Sequence, residues 1–109
     1  MKFEVFKSKS GEFYFNLHAK NGQKILSSEG YSSKSGCLSG IESVRKNAAS
    51  ADNFEVHTSK DGSVYFTLKS PNGQVIGKSE MYQSKSGLSG GIESVQANAP
   101  SAPVVERED

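Results

Sequence analysis

Apolar and polar residues alternate along the first part of the chain and then follow helical spacing. This succession of two patterns occurs twice. Phe13, Phe15 and Leu17 share one face of a predicted strand, because side chains two residues apart point to the same side. Residues 64–68 carry the same alternation 51 positions later. We therefore predict one half-buried strand at the centre of each copy.

Tight turns connect this central strand to a shorter strand on each side. Asn21-Gly22 and Asn72-Gly73 are strong hairpin signals, since glycine readily adopts the positive φ that such turns need. Gly11 and Gly62 mark the preceding turns. The flanking strands are predicted around Phe3 and Val5, Ile25, Phe54 and Val56, and Ile76. Each copy thus begins as a three-stranded antiparallel meander.

The apolar spacing then changes to steps of four, three and four residues, which place side chains on one helical stripe. The stripe consists of Cys37, Ile41, Val44 and Ala48 in the first copy and Leu88, Ile92, Val95 and Ala99 in the second. Ser33 and Ser84 are predicted N-caps, because a serine oxygen can accept a hydrogen bond from a first-turn N–H. Pro100 favours an end to the second helix, and Val104-Val105 predicts a trailing strand.

The chain is predicted to adopt an α+β fold in two layers, built from tandem β-β-β-α repeats and a trailing strand. The strands form one mostly antiparallel sheet with two helices on one face. Between residues 3–48 and 54–99, 27 of 46 aligned positions are identical. Because a unit of about 50 residues has a marginal core by itself, we expect one pseudo-symmetric domain over residues 1–109. Its parts are repeats 3–51 and 54–102, followed by a C-terminal strand and tail at 103–109.

Composition and charge narrow the setting of the protein. No apolar run approaches the roughly 20 residues of a membrane helix. We expect no signal peptide, because Met1 leads directly into a strand pattern. With Cys37 as the single cysteine, we expect a reducing, cytoplasmic location and no membrane partner. The net charge is +1, with +4 in residues 1–51 and −3 in residues 52–109. A near-neutral chain disfavours nucleic acid as a partner.

A repeated signature connects the chain to a known family. Ser-Glu-x-Tyr-x-Ser-Lys-Ser-Gly occupies residues 28–36 and 79–87, and Gly-Ile-Glu-Ser-Val follows at 40–44 and 91–95. With these motifs the chain resembles the YegP-like family of small bacterial tandem-repeat proteins of unknown function. The resemblance implies that two β3-αβ units form a single sheet with exchanged C-terminal strands. It implies no activity, cofactor or catalytic residue.

The sequence presents no catalytic or metal-binding constellation. His18 and His57 are the only histidines, and neither recurs in the other copy. Cys37 corresponds to Leu88 on the predicted buried stripe, which indicates a small hydrophobic role rather than a nucleophile. We therefore predict no catalytic residue, no metal site and no cofactor.

Two surfaces remain as candidate binding sites. By strand parity, the face away from the helices carries Tyr14, Tyr65, Phe6, His57, Leu26 and Val75. Aromatic rings on an open sheet can stack nucleic-acid bases, stabilise the sheet as cross-strand pairs or form part of an oligomer contact. The second surface lies at the helix starts, where Lys34 and Lys85 could hold an anion beside first-turn N–H groups. Ordinary helix capping explains these residues equally well.

Taken together, these patterns favour a non-enzymatic binding or interaction module. Its expected partner is an unknown protein or small ligand, and its expected state is a monomer or a weak homodimer. One alternative is a weak RNA or single-strand nucleic-acid binder that uses the open sheet face. A second alternative is an enzyme of unknown class.

Overall fold

All the strands belong to one sheet in the computed structural model, which describes residues 1–107. The strands are β1 (Lys2–Lys7), β2 (Phe13–His18), β3 (Lys24–Ser27), β4 (Phe54–Thr58), β5 (Val64–Lys69), β6 (Val75–Ser79) and β7 (Val104–Glu106), and the helices are α1 (Lys34–Asn47) and α2 (Lys85–Asn98). The order across the sheet is β4-β5-β6-β3-β2-β1-β7. Only the β1–β7 pair is parallel among the described strands.

This architecture confirms the predicted α+β fold of two β-β-β-α repeats with a trailing strand. The hairpin glycines adopt positive φ as expected, with 84° at Gly22 and 86° at Gly73. The division into repeats at 3–51 and 54–102 with a tail at 103–109 stays a prediction. Residues 108 and 109 of that tail lie outside the described part of the chain.

A single core fills the space between the helices and the sheet. Its largest fully buried side chains include Phe3, Phe15 and Phe66, together with Leu17 and Leu68. Both predicted helical stripes face this core, and Ile92 on α2 is their only partly exposed member. Burial of these apolar side chains is the main driving force for the two-layer arrangement.

Serine caps fix where both helices begin. The hydroxyl oxygen of Ser33 accepts a hydrogen bond from the Gly36 N–H at 3.0 Å, and Ser84 accepts one from Gly87 at 3.1 Å. Each bond satisfies one of the first-turn N–H groups that have no partner inside a helix. The predicted N-caps are therefore confirmed.

Glycine inside each helix makes room for a tyrosine ring. A Cβ added at Gly40 would meet the hydroxyl of Tyr31 and would stand 3.2 Å from the Phe15 ring. The same relation holds between Gly91 and Tyr82 in the second repeat. The cost of glycine in a helix, about 1 kcal/mol relative to alanine, is thus offset by close packing of helix, tyrosine and sheet.

The two halves of the sheet join through only two pairs of residues, Leu26 with Ser79 and Ser27 with Lys78. Leu26 is fully buried, so its predicted place on the open face is wrong. The physical reason is a bulge between Leu17 and His18 that shifts the register. Because one extra residue exchanges the two faces of a strand, Leu26 turns towards the core.

Leu26 and Gly77 occupy equivalent repeat positions and meet at this junction. A Cβ added at Gly77 would lie 2.8 Å from both Cγ and Cδ2 of Leu26. Two large side chains therefore cannot occupy both positions. Leu26 has a large side chain where its repeat equivalent Gly77 has none, so the symmetry of the two repeats is broken at the centre of the sheet.

We expect Gly77→Leu to lower the free energy of unfolding by about 1–3 kcal/mol, because the new side chain overpacks the junction. Urea denaturation followed by circular dichroism measures this change. The double variant Leu26→Gly/Gly77→Leu exchanges the residues between repeats and should recover most of the loss. Additive losses in the double variant would show that the two positions do not share one space.

Candidate functional site

Two pairs of aromatic rings lie on the open face of the sheet, one pair in each repeat. Phe6 and Tyr14 are register partners on β1 and β2, with ring centroids 5.8 Å apart and planes 17° from parallel. His57 and Tyr65 form the equivalent pair on β4 and β5, at 4.9 Å and 20°. Four of the predicted site residues are thus brought together in two separate pairs.

A cation lies over one ring of each pair. The Nζ atom of Lys78 is 4.9 Å from the centroid of the Tyr65 ring. The guanidinium carbon of Arg107 is 4.4 Å from the centroid of the Phe6 ring. Both distances suit attraction between a cation and the negative face of an aromatic ring. Part of the ring surface that could stack on a base is therefore already engaged.

The histidines lie beside carboxylates on the same face. His57 Nε2 is 3.0 Å from Thr67 Oγ1 and 3.4 Å from a carboxylate oxygen of Glu55. A hydrogen bond from Lys69 lowers the pKa of Glu55, so this group is held as an anion. His18 Nε2 lies 3.6 Å from Glu4 in the other repeat. The face consequently brings imidazole, ammonium and carboxylate groups close to one another.

The two predicted anion-binding lysines have different surroundings. Lys34 forms an ion pair with Glu106 of β7, so a carboxylate of the chain itself already lies at the start of α1. Lys85 forms no ion pair within residues 1–107. Lys34 and Phe6 line the same groove along the β1–β7 edge. The structure therefore links one of these lysines to a ring pair.

Cys37 is fully enclosed by the core and is poorly suited to nucleophilic chemistry. Burial raises the pKa of its thiol from 9.0 to about 11, because the thiolate would lose its hydration. Burial likewise raises the pKa of Tyr31 and of Tyr82. These side chains are packing elements under the helices.

Two features are absent from the part of the chain that the structure describes. Within residues 1–107, His, Cys, Asp and Glu form no group of three or more that could hold a metal ion. Neither described helix has both the length and the apolar character needed to cross a bilayer.

Sequence reasoning missed several residues around the rings and the sheet edges. Lys78 and Arg107 lie over rings that are distant in sequence, and Glu106 reaches Lys34 from the opposite end of the chain. Strand parity places Lys78 on the same side as Ile76, and this lysine reaches the open face only because a bulge after Leu68 shifts the register of β6. The positions of Arg107 and Glu106 depend on which strand β7 pairs with, and local pattern carries no such signal.

The fold and its repeated signature define a class of tandem β3α proteins. Residues 8–55 and 59–106 each match the family described as "Domain of unknown function (DUF1508)". The chain belongs to this family, and the predicted resemblance is confirmed. The two matched segments are themselves 51 residues apart, which is the spacing of the repeat.

Relatives with similar sequences occur in several bacteria. The "UPF0339 protein in ptx operon 5'region" of Stutzerimonas stutzeri is 51% identical over 104 residues, which cover 95% of this chain and 94% of that protein. UPF0339 protein YegP of Escherichia coli K12 is 44% identical over 102 residues, covering 94% and 93%. Neither name states an activity.

Two solution NMR structures share the fold. UPF0339 protein SO3888 from Shewanella oneidensis superposes with a TM-score of 0.91 at 39% identity, covering 96% of this chain and 89% of that one. The E. coli yegP protein, described as a protein of unknown function, also gives 0.91 at 42% identity, covering 97% and 91%. The family is thus structurally characterised, and its members carry no functional description in these names.

We expect native Cys37 to react with iodoacetamide far more slowly than the unfolded chain at pH 8. A rise in pKa of about two units lowers the thiolate fraction about 100-fold, and burial restricts access further. Mass spectrometry of timed samples, with and without urea, measures the labelling rate. Cys37→Ala should keep the fold, because the site needs only a small apolar side chain.

Ser39 provides a matched control on the exposed side of the same helix. In the Cys37→Ala background, Ser39→Cys should label rapidly in the native state. Equal native rates for Cys37 and this control thiol would contradict burial of Cys37.

Proposed function

We propose that this chain is a non-enzymatic interaction module whose open sheet face forms a weak contact with a second copy. The observation that carries the proposal is the pair of ring clusters, Phe6 with Tyr14 and His57 with Tyr65. All four side chains are partly exposed and stand at equivalent positions of the two repeats. Two related patches on one uncovered face suit a contact between symmetric partners.

The charges of the open face support association with a copy of itself. Glu4 and Glu55 supply negative groups, while Lys24, Lys69 and Lys78 supply positive ones. Because both signs are present, two copies can be placed with unlike charges opposite each other. A face-to-face arrangement of sheets at about 10 Å would bury the ring clusters.

A cytoplasmic location belongs to the same proposal. It is supported by the single cysteine, since a lone thiol is compatible with a reducing compartment.

Self-association is tested by sedimentation and by the concentration dependence of amide NMR shifts. We expect dissociation constants of about 0.1–1 mM and shift changes centred on Tyr14 and Tyr65. The double variant Tyr14→Ala/Tyr65→Ala should abolish both effects because it removes the apolar contact. Leu38→Ala is the control, since Leu38 is an exposed apolar residue on α1 in the other layer. The proposal fails if shifts on the open face do not depend on concentration.

The RNA-binding alternative uses the same rings and is tested separately. We expect no salt-dependent binding of a fluorescein-labelled single-stranded RNA, because lateral ring partners and cations already engage the ring surfaces. Fluorescence anisotropy at low and moderate salt measures binding. Binding at low salt that Tyr14→Ala weakens would instead establish the alternative.

A further inference from the structure

The sheet has two outer regions that are equivalent in sequence, and β7 covers only one of them. β7 runs parallel to β1, with Val104 opposite Phe3 and Glu106 opposite Val5. The Phe3 N–H donates to the Pro103 carbonyl at 2.8 Å, and the Arg107 N–H donates to the Val5 carbonyl at 2.8 Å. The first repeat therefore shows how an additional strand is bound along the outer edge of β1.

This added strand seals the first repeat in three ways. Val5 is only 3% exposed beneath it. Arg45 of α1 donates a hydrogen bond to the Ala102 carbonyl, just before β7. Lys34 at the start of α1 pairs with Glu106 on β7. Backbone, apolar and charged groups of the first repeat thus all contact the same short segment.

The equivalent region of the second repeat is open. Val56, the counterpart of Val5, is 51% exposed. Phe54 and Ile92 are partly exposed, whereas their counterparts Phe3 and Ile41 are fully buried. Lys85 has no ion-pair partner within residues 1–107, unlike Lys34. Matched residues therefore differ in the way expected if one strand were missing beside β4.

Chain connectivity explains the missing strand. Residues 104–106 form β7 after α2, and the equivalent residues after α1 are 53–55. Since that stretch runs directly into β4, it cannot also lie beside β4. The two family-matched segments end at the equivalent residues Glu55 and Glu106. One structural position is thus filled in the first repeat and vacant in the second.

The exposed edge of β4 has few of the features that block strand addition. The strand is five residues long, FEVHT, and contains no proline or lysine. Its pairing with β5 is continuous, without a bulge. By equivalence with Val5, the Val56 carbonyl points outward from the sheet. The Phe54 N–H is already engaged, because it donates a hydrogen bond to the Ala51 carbonyl in the segment before β4. Such an edge is suited to pairing with an extended segment.

We propose that the outer edge of β4 binds an extended segment of another protein, parallel to β4, with two aliphatic residues followed by an acidic one. The bound strand occupies the position that β7 has on β1. By the register of β7 on β1, its first aliphatic side chain lies opposite Phe54 and covers the helix side of the edge, and its second lies opposite Glu55 on the other side. Its acidic side chain lies opposite Val56 and pairs with Lys85. This chemistry follows from Val104, Val105 and Glu106 on the filled edge. The bound segment lies beside β4 rather than over both ring pairs, so this proposal does not rest on self-association.

The probe is a capped peptide with the sequence of residues 101–107, Ser-Ala-Pro-Val-Val-Glu-Arg, added to the full ¹⁵N-labelled chain. We expect saturable amide shift changes at β4 and at Lys85. Val56→Glu should weaken binding at least about tenfold, because it removes an apolar contact and places a carboxylate opposite the acidic side chain of the peptide. Leu38→Glu adds the same charge at an exposed site on α1 and should leave binding unchanged.

A charge exchange tests the pairing with Lys85. Lys85→Glu should weaken binding about two- to fivefold, and a peptide with lysine in place of its glutamate should restore it. Tyr14→Ala on the open face should have no effect, which separates this site from the self-association surface.

Three results would overturn the proposal. The first is the absence of saturable change up to about 1 mM peptide. The second is shift changes at Phe3 and Val5 alone, which would show that the peptide only displaces β7 from β1. The third is concentration-dependent change at β4 without peptide, which would assign the edge to a second copy of the chain.

Discussion

The parallel pairing of β7 with β1 is the interaction on which the arrangement of this protein depends. It joins the last described strand to the first, and it buries Val5 while Phe3 lies fully within the core. It also brings Glu106 to Lys34 and Arg107 over Phe6. Because a contact between residues so far apart in sequence requires closure of nearly the whole chain, folding of both repeats favours this pairing by holding its two strands close together.

Because the two repeats belong to one chain, equivalent residues have different surroundings. At the centre of the sheet, Leu26 fills space that Gly77 leaves open. At the edges, Val5 is covered and Val56 is not, although both follow the same Phe-Glu sequence. The reason is connectivity, since the segment after α1 becomes β4 and only the segment after α2 is available as an added strand. A duplicated sequence thus produces two different surfaces, one closed and one open.

The candidate site was partly accessible from sequence. Alternation placed Tyr14, Tyr65, Phe6 and His57 on the open face, where they form the two ring pairs. The same reasoning failed for Leu26, because a bulge after Leu17 exchanges the faces of β3 and local periodicity does not reveal it. It also treated Lys34 and Lys85 as equivalent, although only Lys34 meets a carboxylate of β7. The difference lies in the strand order, about which the local sequence around either lysine carries no information.

The sequence by itself determined the elements: three strands and a capped helix in each repeat, hairpins at the glycines, and one apolar stripe per helix. These features depend on backbone conformation and side-chain periodicity within a few residues, so short stretches such as Asn21-Gly22 and the Ser33 cap are sufficient. Only the tertiary structure decided that β3 pairs with β6, that β7 lies beside β1, and that the edge of β4 stays exposed. Those outcomes depend on contacts between distant segments. The two similar repeats offer equivalent local pairing choices, and chain connectivity selects among them.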